Sequence, residues 1–244
     1  MKFTEQPPAY LFFTGKGGVG KSTVAAAVAV ELARRGHAVR LTTSDPAAHL
    51  SETLNGSLDR LAVSRIDPHI ETDRYRREVL AKKGAHPDAQ GRALLEEDLR
   101  SPCTEEIAVF QAFSRILRQA GSSRMHFTTP MMQLQDPKRT KVILVTLAET
   151  TPVLEAANLQ DDLRRAGIEP WAWIVNNSLA AARPTSRLLR QRALAEVEQI
   201  EAVASRYSAR YAVIPLLAQE PVGVDRLVEL TADHRLTPPG VRHA

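Results

Sequence analysis

Short apolar runs alternate with segments of helical period along most of the chain, and this alternation predicts an α/β fold. An apolar run at 10–14 precedes a segment at about 21–35 that carries valine, alanine and leucine on one helical face. A second run at 37–43 completes a β-α-β unit, which indicates a mostly parallel, doubly wound sheet with helices on both faces. The second half repeats the pattern, with strands expected at 142–145, 171–175 and 211–215, and helices at 151–167, 187–207 and 222–230.

Residues 51–100 are more polar and are interrupted by glycine and proline, so we expect short exposed helices there, at 74–83 and 92–99. We predict a single domain over 1–244, with 51–120 as a helical insert and 231–244 as a tail without a clear pattern.

The segment after Ser101-Pro102-Cys103 predicts another helix within this insert. Thr104 is a plausible N-cap, followed by two glutamates in the first turn. Its expected apolar face carries Ile107, Phe110, Phe113 and Leu117.

The stretch with the clearest chemistry is Gly15-Lys16-Gly17-Gly18-Val19-Gly20-Lys21-Ser22-Thr23, which lies between the first strand and the first helix. It matches the phosphate-loop pattern G-x-x-x-x-G-K-[ST] in the required strand–loop–helix context. Glycines allow main-chain amides to surround a triphosphate, Lys21 can reach the β- and γ-phosphates, and Ser22 can ligate Mg²⁺. The alternative, an ordinary glycine-rich turn, explains four glycines with a Lys-Ser pair poorly. We therefore expect ATP and Mg²⁺ as ligands.

Composition narrows the class of protein only modestly. The 244 residues have a net charge of +4 and a pI of about 9.4, but the arginines are interspersed with acids, which favours solvated helix faces over a nucleic-acid surface. The lone cysteine, Cys103, fits a reducing cytoplasm, and neither a signal peptide nor a membrane span is expected.

Lys16 gives the loop the form K-G-G-x-G-K-[ST], which resembles the deviant phosphate loop of the dimeric P-loop ATPases. In that group the extra lysine reaches the nucleotide of a partner subunit, and the resemblance implies the same role for Lys16. A solvated loop lysine is the alternative for Lys16.

Further stretches resemble the arsenical pump-driving ATPase family over about residues 9–230. They are Leu41–Leu50, Ser101–Glu106, His126–Met132, Thr146–Asn158 and Ile174–Ser178.

This resemblance implies a P-loop NTPase fold and an ATPase that energises arsenite or antimonite efflux through a membrane carrier. The protein would be cytoplasmic and peripheral to the inner membrane. It implies that Asp45 serves the attacking water, that Asn176 and Asn177 contact the adenine, and that Cys103 belongs to an As(III) or Sb(III) effector site. Polar turn residues at the end of a strand are the alternative for the two asparagines, and an inert thiol is the alternative for Cys103.

The chain departs from the family where a second switch should lie. The family carries a strand ending in the segment D-T-A-P-T-G-H-T, whereas residues 118–126 join the flanking regions directly, without an apolar strand or an aspartate. An interior strand is therefore expected to be deleted. We expect marginal stability, and retained binding of ATP and Mg²⁺ with weak hydrolysis. The chain opens like the first half of the family's tandem proteins and continues from about Thr23 like the second, so we also consider a single-unit remnant or a recombined gene.

Three other functions remain open at this point. A non-hydrolysing nucleotide-binding module, or decayed remnant, would bind ATP without metalloid-stimulated turnover. A partitioning-type ATPase would bind DNA in a salt-dependent way, but no basic stripe supports it. Targeting of tail-anchored proteins needs a methionine-rich groove, and the chain has four methionines. A homodimer and pairing with an intact homologue are the two assemblies considered.

Overall fold

The computed structural model describes residues 7–43, 50–83, 95, 97, 99, 101–120 and 135–231. Its strands are β1 (Tyr10–Thr14), β2 (Val39–Thr43), β3 (Leu61–Arg65), β4 (Thr140–Leu147), β5 (Ala172–Ser178) and β6 (Tyr211–Pro215). Its helices are α1 (Lys21–Arg34), α2 (Leu50–Leu54), α3 (Pro68–Lys83), α4 (Pro102–Ala120), α5 (Thr150–Arg165), α6 (Leu179–Ala182), α7 (Arg187–Ala202) and α8 (Val224–Thr231). A π-helical turn, Val203–Tyr207, continues α7.

The chain divides into two compact units. The larger comprises residues 1–39, 49–61 and 131–244, and the smaller comprises 40–48 and 62–130. The proposed extent of a single domain with an insert stays a prediction. Among the described helices, none is both long and apolar enough to cross a membrane.

The larger unit contains a parallel sheet with the strand order β1-β4-β5-β6. Four consecutive apolar residues of β4, from Val142 to Val145, are buried. Such an uninterrupted apolar run is typical of a parallel strand covered on both faces. The predicted α/β class is therefore confirmed.

Strands β2 and β3 form a separate two-stranded sheet. Main-chain bonds from Val39 to Arg60 and from Ile66 to Thr43 advance in the same direction along both strands, so the pair is parallel. The sequence pattern had not indicated β3. It had indicated β1-α1-β2 as one unit, but in the described residues β1 and β2 belong to different sheets. The expected deletion of an interior strand would account for this separation, because β2 would then lack the neighbour through which it joins the larger sheet.

Helix α1 supplies much of the core of the larger unit. It buries a nearly continuous apolar run from Val24 to Ala33 and packs against α8 and α2. A second cluster surrounds Trp173, whose indole stacks on Tyr207 at 5.3 Å between ring centroids and donates to Gln160 at 2.6 Å. Trp173 therefore contributes to the packing of β5 against its neighbours.

The smaller unit packs α3 against α4, and Arg115 forms an ion pair with Glu71 between these helices. Two predictions for α4 were wrong. The helix already begins at Pro102, so Thr104 lies inside it and is not its cap, and Ile107 is 45% exposed, whereas Ala108 and Ala112 are buried. Alanine side chains are small and let α3 approach α4 closely, and this is why Ala108 and Ala112 are buried.

Two further element boundaries differ from expectation. Helix α3 begins at Pro68, where the Asp67 carboxylate accepts the amides of His69 and Ile70, so the helix is longer than the expected segment 74–83. Most of the expected helix at 92–99 lies outside the described residues. Helix α5 begins at Thr150, one residue before the expected start, and Glu149 is its N-cap.

Candidate functional site

The glycine-rich loop joins the end of β1 to the start of α1, as the sequence predicts. Gly15 has φ 148°, and a Cβ at this position would lie 2.2 Å from the Val145 carbonyl oxygen of β4. No side chain fits there, because real Cβ contacts never come so close. Glycine at this position lets the loop turn directly over the neighbouring strand.

The N-terminus of α1 has the features of an anion site. Its N-cap, Gly20, adopts the left-handed conformation with φ 84°, no side chain caps the helix, and its first turn contains no acid. The first-turn amides therefore have no capping side chain, and the helix dipole adds partial positive charge. Lys21, Ser22 and Thr23 are half-buried in this first turn. This arrangement fits a triphosphate.

Lys21 lies over its own loop. Its Nζ donates to the main-chain oxygen of Lys16 at 2.7 Å. The ammonium group is thus held beside the loop amides, where it can neutralise phosphate charge once it exchanges this carbonyl for a phosphate oxygen.

Lys16 is paired within the chain. Its Nζ contacts Oε1 of Glu155 on α5, and the side chains are 56% and 33% exposed, respectively. The other carboxylate oxygen of Glu155, Oε2, is buried without a hydrogen-bond partner among the described residues. The charge of Lys16 is thus neutralised by a residue of its own chain. The resemblance implies that Lys16 reaches the nucleotide of a partner subunit, and this role stays a prediction.

The two asparagines at the end of β5 point to different surroundings. Asn176 is 5% exposed, and its Nδ2 donates to the main-chain oxygen of Val19 in the loop at 3.0 Å. Asn177 is exposed and has φ 54°, and the pairing of β5 with β6 is irregular between Val175 and Ser178. This irregularity explains why two adjacent residues differ in burial. A contact of either asparagine with adenine stays a prediction.

No acid occupies the end of β4, the strand beside β1. Its last residues are the buried Thr146, whose hydroxyl contacts the Leu147 carbonyl, and Leu147 itself, followed by Ala148. In the part of the chain that the structure describes, no three His, Cys, Asp or Glu side chains cluster as a metal site. Mg²⁺ can be held by a hydroxyl together with phosphate oxygens, and Ser22 is suitably placed on α1 for this.

The remaining predicted residues lie largely outside the described region. Asp45, with the rest of 44–49, is not among the described residues, nor is the part of the 118–126 junction from 121 onward, where the second switch is missing from the sequence. Cys103 is the second residue of α4, but its side chain is not described. The metalloid role of Cys103 and the water-orienting role of Asp45 stay predictions.

Three contributors to the site were not found from the sequence. They are Glu155, which pairs with Lys16, and the main-chain oxygens of Val19 and Val145. A single helical glutamate gives no sequence signal of such a partner, and main-chain contacts depend on how the strands are ordered.

The sequence of the chain matches a known protein family. The family model described as anion-transporting ATPase matches residues 9–129 and 123–234. The two matches overlap at 123–129, which includes part of the 118–126 junction where the second switch is missing from the sequence.

Individual relatives agree with the family match. The arsenical pump-driving ATPase of Escherichia coli is 58% identical over 252 residues, which cover 90% of this chain and 43% of the relative. The corresponding protein of Acidiphilium multivorum is 59% identical with the same coverage. A putative arsenical pump-driving ATPase of Halobacterium salinarum is 29% identical over 282 residues, 92% of this chain and 44% of the relative.

The lengths of these matches carry additional information. The chain spans less than half of the length of these relatives. The 252-residue match is nevertheless longer than the 244 residues of this chain, so the relative has residues to which nothing in this chain corresponds. Together with the break in the family match, this supports an internal deletion. On the sequence match, the loop and the sheet that supports it, the chain belongs to the anion-transporting ATPase family.

Proposed function

We propose that this chain binds ATP and Mg²⁺ and serves as an ATPase subunit that energises arsenite or antimonite efflux through a membrane carrier, with its hydrolysis impaired. The observation that carries the proposal is the glycine loop between β1 and α1, which has uncapped amides, Lys21 and Ser22 at one helix end. Two relatives are named arsenical pump-driving ATPases, and this supports the choice of arsenite or antimonite efflux as the process that is energised. In this proposal the protein lies in the cytoplasm, bound to the membrane carrier.

The binding step depends on residues whose positions are known. The loop amides and the first turn of α1 would hold the phosphates, Lys21 would neutralise their charge, and Ser22 would ligate Mg²⁺. Gly15 and Gly20 allow the loop to pack against Val145 and Asn176, which keeps these groups in place. None of these features depends on the deleted segment.

The hydrolytic step is expected to be weak because the second-switch aspartate is missing from the sequence. Asp45 would remain to orient the attacking water, but the aspartate that organises the Mg²⁺ shell has no counterpart in residues 118–126. Loss of one such group typically lowers the rate by about 100-fold or more.

A non-hydrolysing nucleotide-binding module is the second candidate function. The separate β2-β3 sheet and the cis pairing of Lys16 with Glu155 favour it, since both would be compatible with a chain that binds nucleotide without completing a catalytic site. Modulation of an intact homologue would then be its role. As(III) or Sb(III) would act as an effector only in the first proposal.

The experiment compares three purified proteins: this chain, its Lys21→Ala variant, and this chain with the missing segment inserted from the Escherichia coli relative. ATP affinity and turnover are measured with and without antimonite. We expect Lys21-dependent binding in the unmodified chain, and at least about 100-fold faster turnover after insertion.

The outcomes separate the parts of the proposal. Absence of affinity for ATP with Mg²⁺ would refute nucleotide binding itself. Turnover as fast as that of the chain with the insert would refute impaired hydrolysis. Binding without any antimonite-stimulated turnover, even after insertion, would favour the non-hydrolysing module.

A further inference from the structure

Helix α7 carries an exposed face whose charges are divided between its two ends. Arg187 and Arg190 lie in its N-terminal half, and Glu198 and Glu201 in its C-terminal half, all exposed. Leu194 lies between the two pairs and is 67% exposed. With 100° of rotation per residue, these five side chains fall on one side of the helix. We call this side the α7 face.

The order of charges on the α7 face opposes the preferences of an isolated helix. Arg187 and Arg190 are three residues apart, as are Glu198 and Glu201, so neighbouring side chains repel each other. The first turn of α7 has no acid, and its last turn has no base, although the helix dipole favours both. No described residue forms an ion pair with any of these four side chains. The face therefore lacks a counter-charge within the described chain.

The same order is complementary to itself when a second copy is turned end to end. Arg190 lies four residues before Leu194 and Glu198 lies four residues after it. Arg187 and Glu201 lie seven residues before and after it. An antiparallel pair of α7 helices with a two-fold axis at Leu194 would thus bring each arginine level with a glutamate of the other copy. A two-fold interface requires this kind of self-complementary surface.

The centre of the α7 face is apolar, as a contact between copies requires. Leu194 borders a cavity of about 320 Å³ that is otherwise lined by four apolar residues, Ala180, Pro184, Ala193 and Val197, and by Arg183 and Arg190. An exposed leucine beside such a cavity buries apolar surface when a partner covers it. Glu196, in contrast, is engaged within the chain by the Ser178 hydroxyl and does not take part in the face.

We propose that the α7 face is a homodimer contact, in which Leu194 meets Leu194 of a second copy, Arg190 pairs with Glu198, and Arg187 pairs with Glu201. The contact does not involve the nucleotide loop, so the dimer forms without ATP. This inference is independent of the proposed ATPase function.

A charge-swap experiment tests the contact. The dissociation constant of the dimer is measured by sedimentation for the unmodified chain, Arg190→Glu, Glu198→Arg and the double variant. Each single change converts two ion pairs of the symmetric dimer into repulsions, and we expect dimerisation to weaken about tenfold or more. The double variant exchanges both charges and restores the pairing. Arg192→Glu, about 160° away around the helix, is the matched control and leaves dimerisation unchanged.

Cross-linking provides a second measurement. In a Cys103→Ser background, Leu194→Cys places the only thiol of each copy beside its counterpart at the two-fold axis, and oxidation is expected to give a disulfide-linked dimer. Leu188→Cys, which lies off the α7 face, serves as the control and should not cross-link. A chain that stays monomeric, a double variant without recovery, or a response to Arg192→Glu equal to that of Arg190→Glu would each overturn the proposal. So would a face that captures another protein while the chain itself stays monomeric.

Discussion

The side-chain amide of Asn176 and the main-chain carbonyl of Val19 join β5 to the phosphate loop through a hydrogen bond of 3.0 Å. Val19 is 2% exposed, so this carbonyl has little access to water. The same amide nitrogen lies where a side chain on Gly20 would begin, 2.3 Å from the position of a Cβ. Asn176 thus supports the loop through a hydrogen bond to Val19 and a close contact with Gly20.

Replacement of Asn176 by alanine is expected to weaken both folding and nucleotide binding. It leaves the buried Val19 carbonyl without its donor, which costs about 1–3 kcal/mol in the free energy of unfolding. Because the loop itself loses support, affinity for inorganic triphosphate should fall together with affinity for ATP. Calorimetric titration and denaturant unfolding measure the two effects.

Asn177→Gly is the matched control for that variant, since it keeps the left-handed backbone at an exposed position. Its free energy of unfolding should change by less than about 0.5 kcal/mol. An Asn176→Ala variant that loses ATP affinity but binds inorganic triphosphate normally would show that Asn176 contacts only the base.

Gly15→Ala and Gly17→Ala should differ strongly although both lie in the same loop. At Gly15 a methyl group collides with the Val145 carbonyl oxygen, whereas at Gly17 nothing lies within 4 Å. Overpacking of this kind costs about 1–3 kcal/mol, and the displaced loop should lose ATP affinity. Thermal unfolding with and without ATP compares the two variants. Equal behaviour of both would contradict the close approach of the loop to β4.

Glu155→Gln is expected to raise the affinity for ATP, because it removes the negative charge that neutralises Lys16 beside the loop. For this partly exposed pair the gain in affinity should be about fivefold, and the free energy of unfolding should change by no more than about 1 kcal/mol. Glu149→Gln, an exposed glutamate just before the same helix, is the control. Reduced ATP affinity in Glu155→Gln would instead assign this carboxylate a positive role in nucleotide binding.

A small acid-sensitive contribution to stability is expected from Glu169. Its hydrogen bond with Arg164 lowers the pKa of the Glu169 carboxyl below 4.5. The stabilisation is therefore fully present above that ordinary pKa and disappears as the pH falls through the lowered value. Both groups are exposed, so the effect should not exceed about 1 kcal/mol. Unfolding curves at several pH values should show this component in the unmodified chain but not in Glu169→Gln.

Much of the site could be predicted because its signal is local. The loop from Gly15 to Thr23 occupies consecutive positions, so its residue types identify both the turn and the chemistry. The strands β1, β4, β5 and β6 were expected because buried parallel strands are continuous apolar runs. Strand β3 was not, because most of its residues are exposed and its sequence, Leu-Ala-Val-Ser-Arg, is neither a continuous apolar run nor an alternating pattern.

The sequence by itself determined the class of fold, the phosphate loop and the missing acidic segment, since each is written in adjacent residues. Only the tertiary structure decided that Lys16 pairs with Glu155, 139 residues away, and that Asn176 reaches back 157 residues to Val19. The tertiary structure also decided that the described strands form two separate sheets. Such contacts depend on strand order and register, which bring distant positions together and leave no periodic trace along the chain.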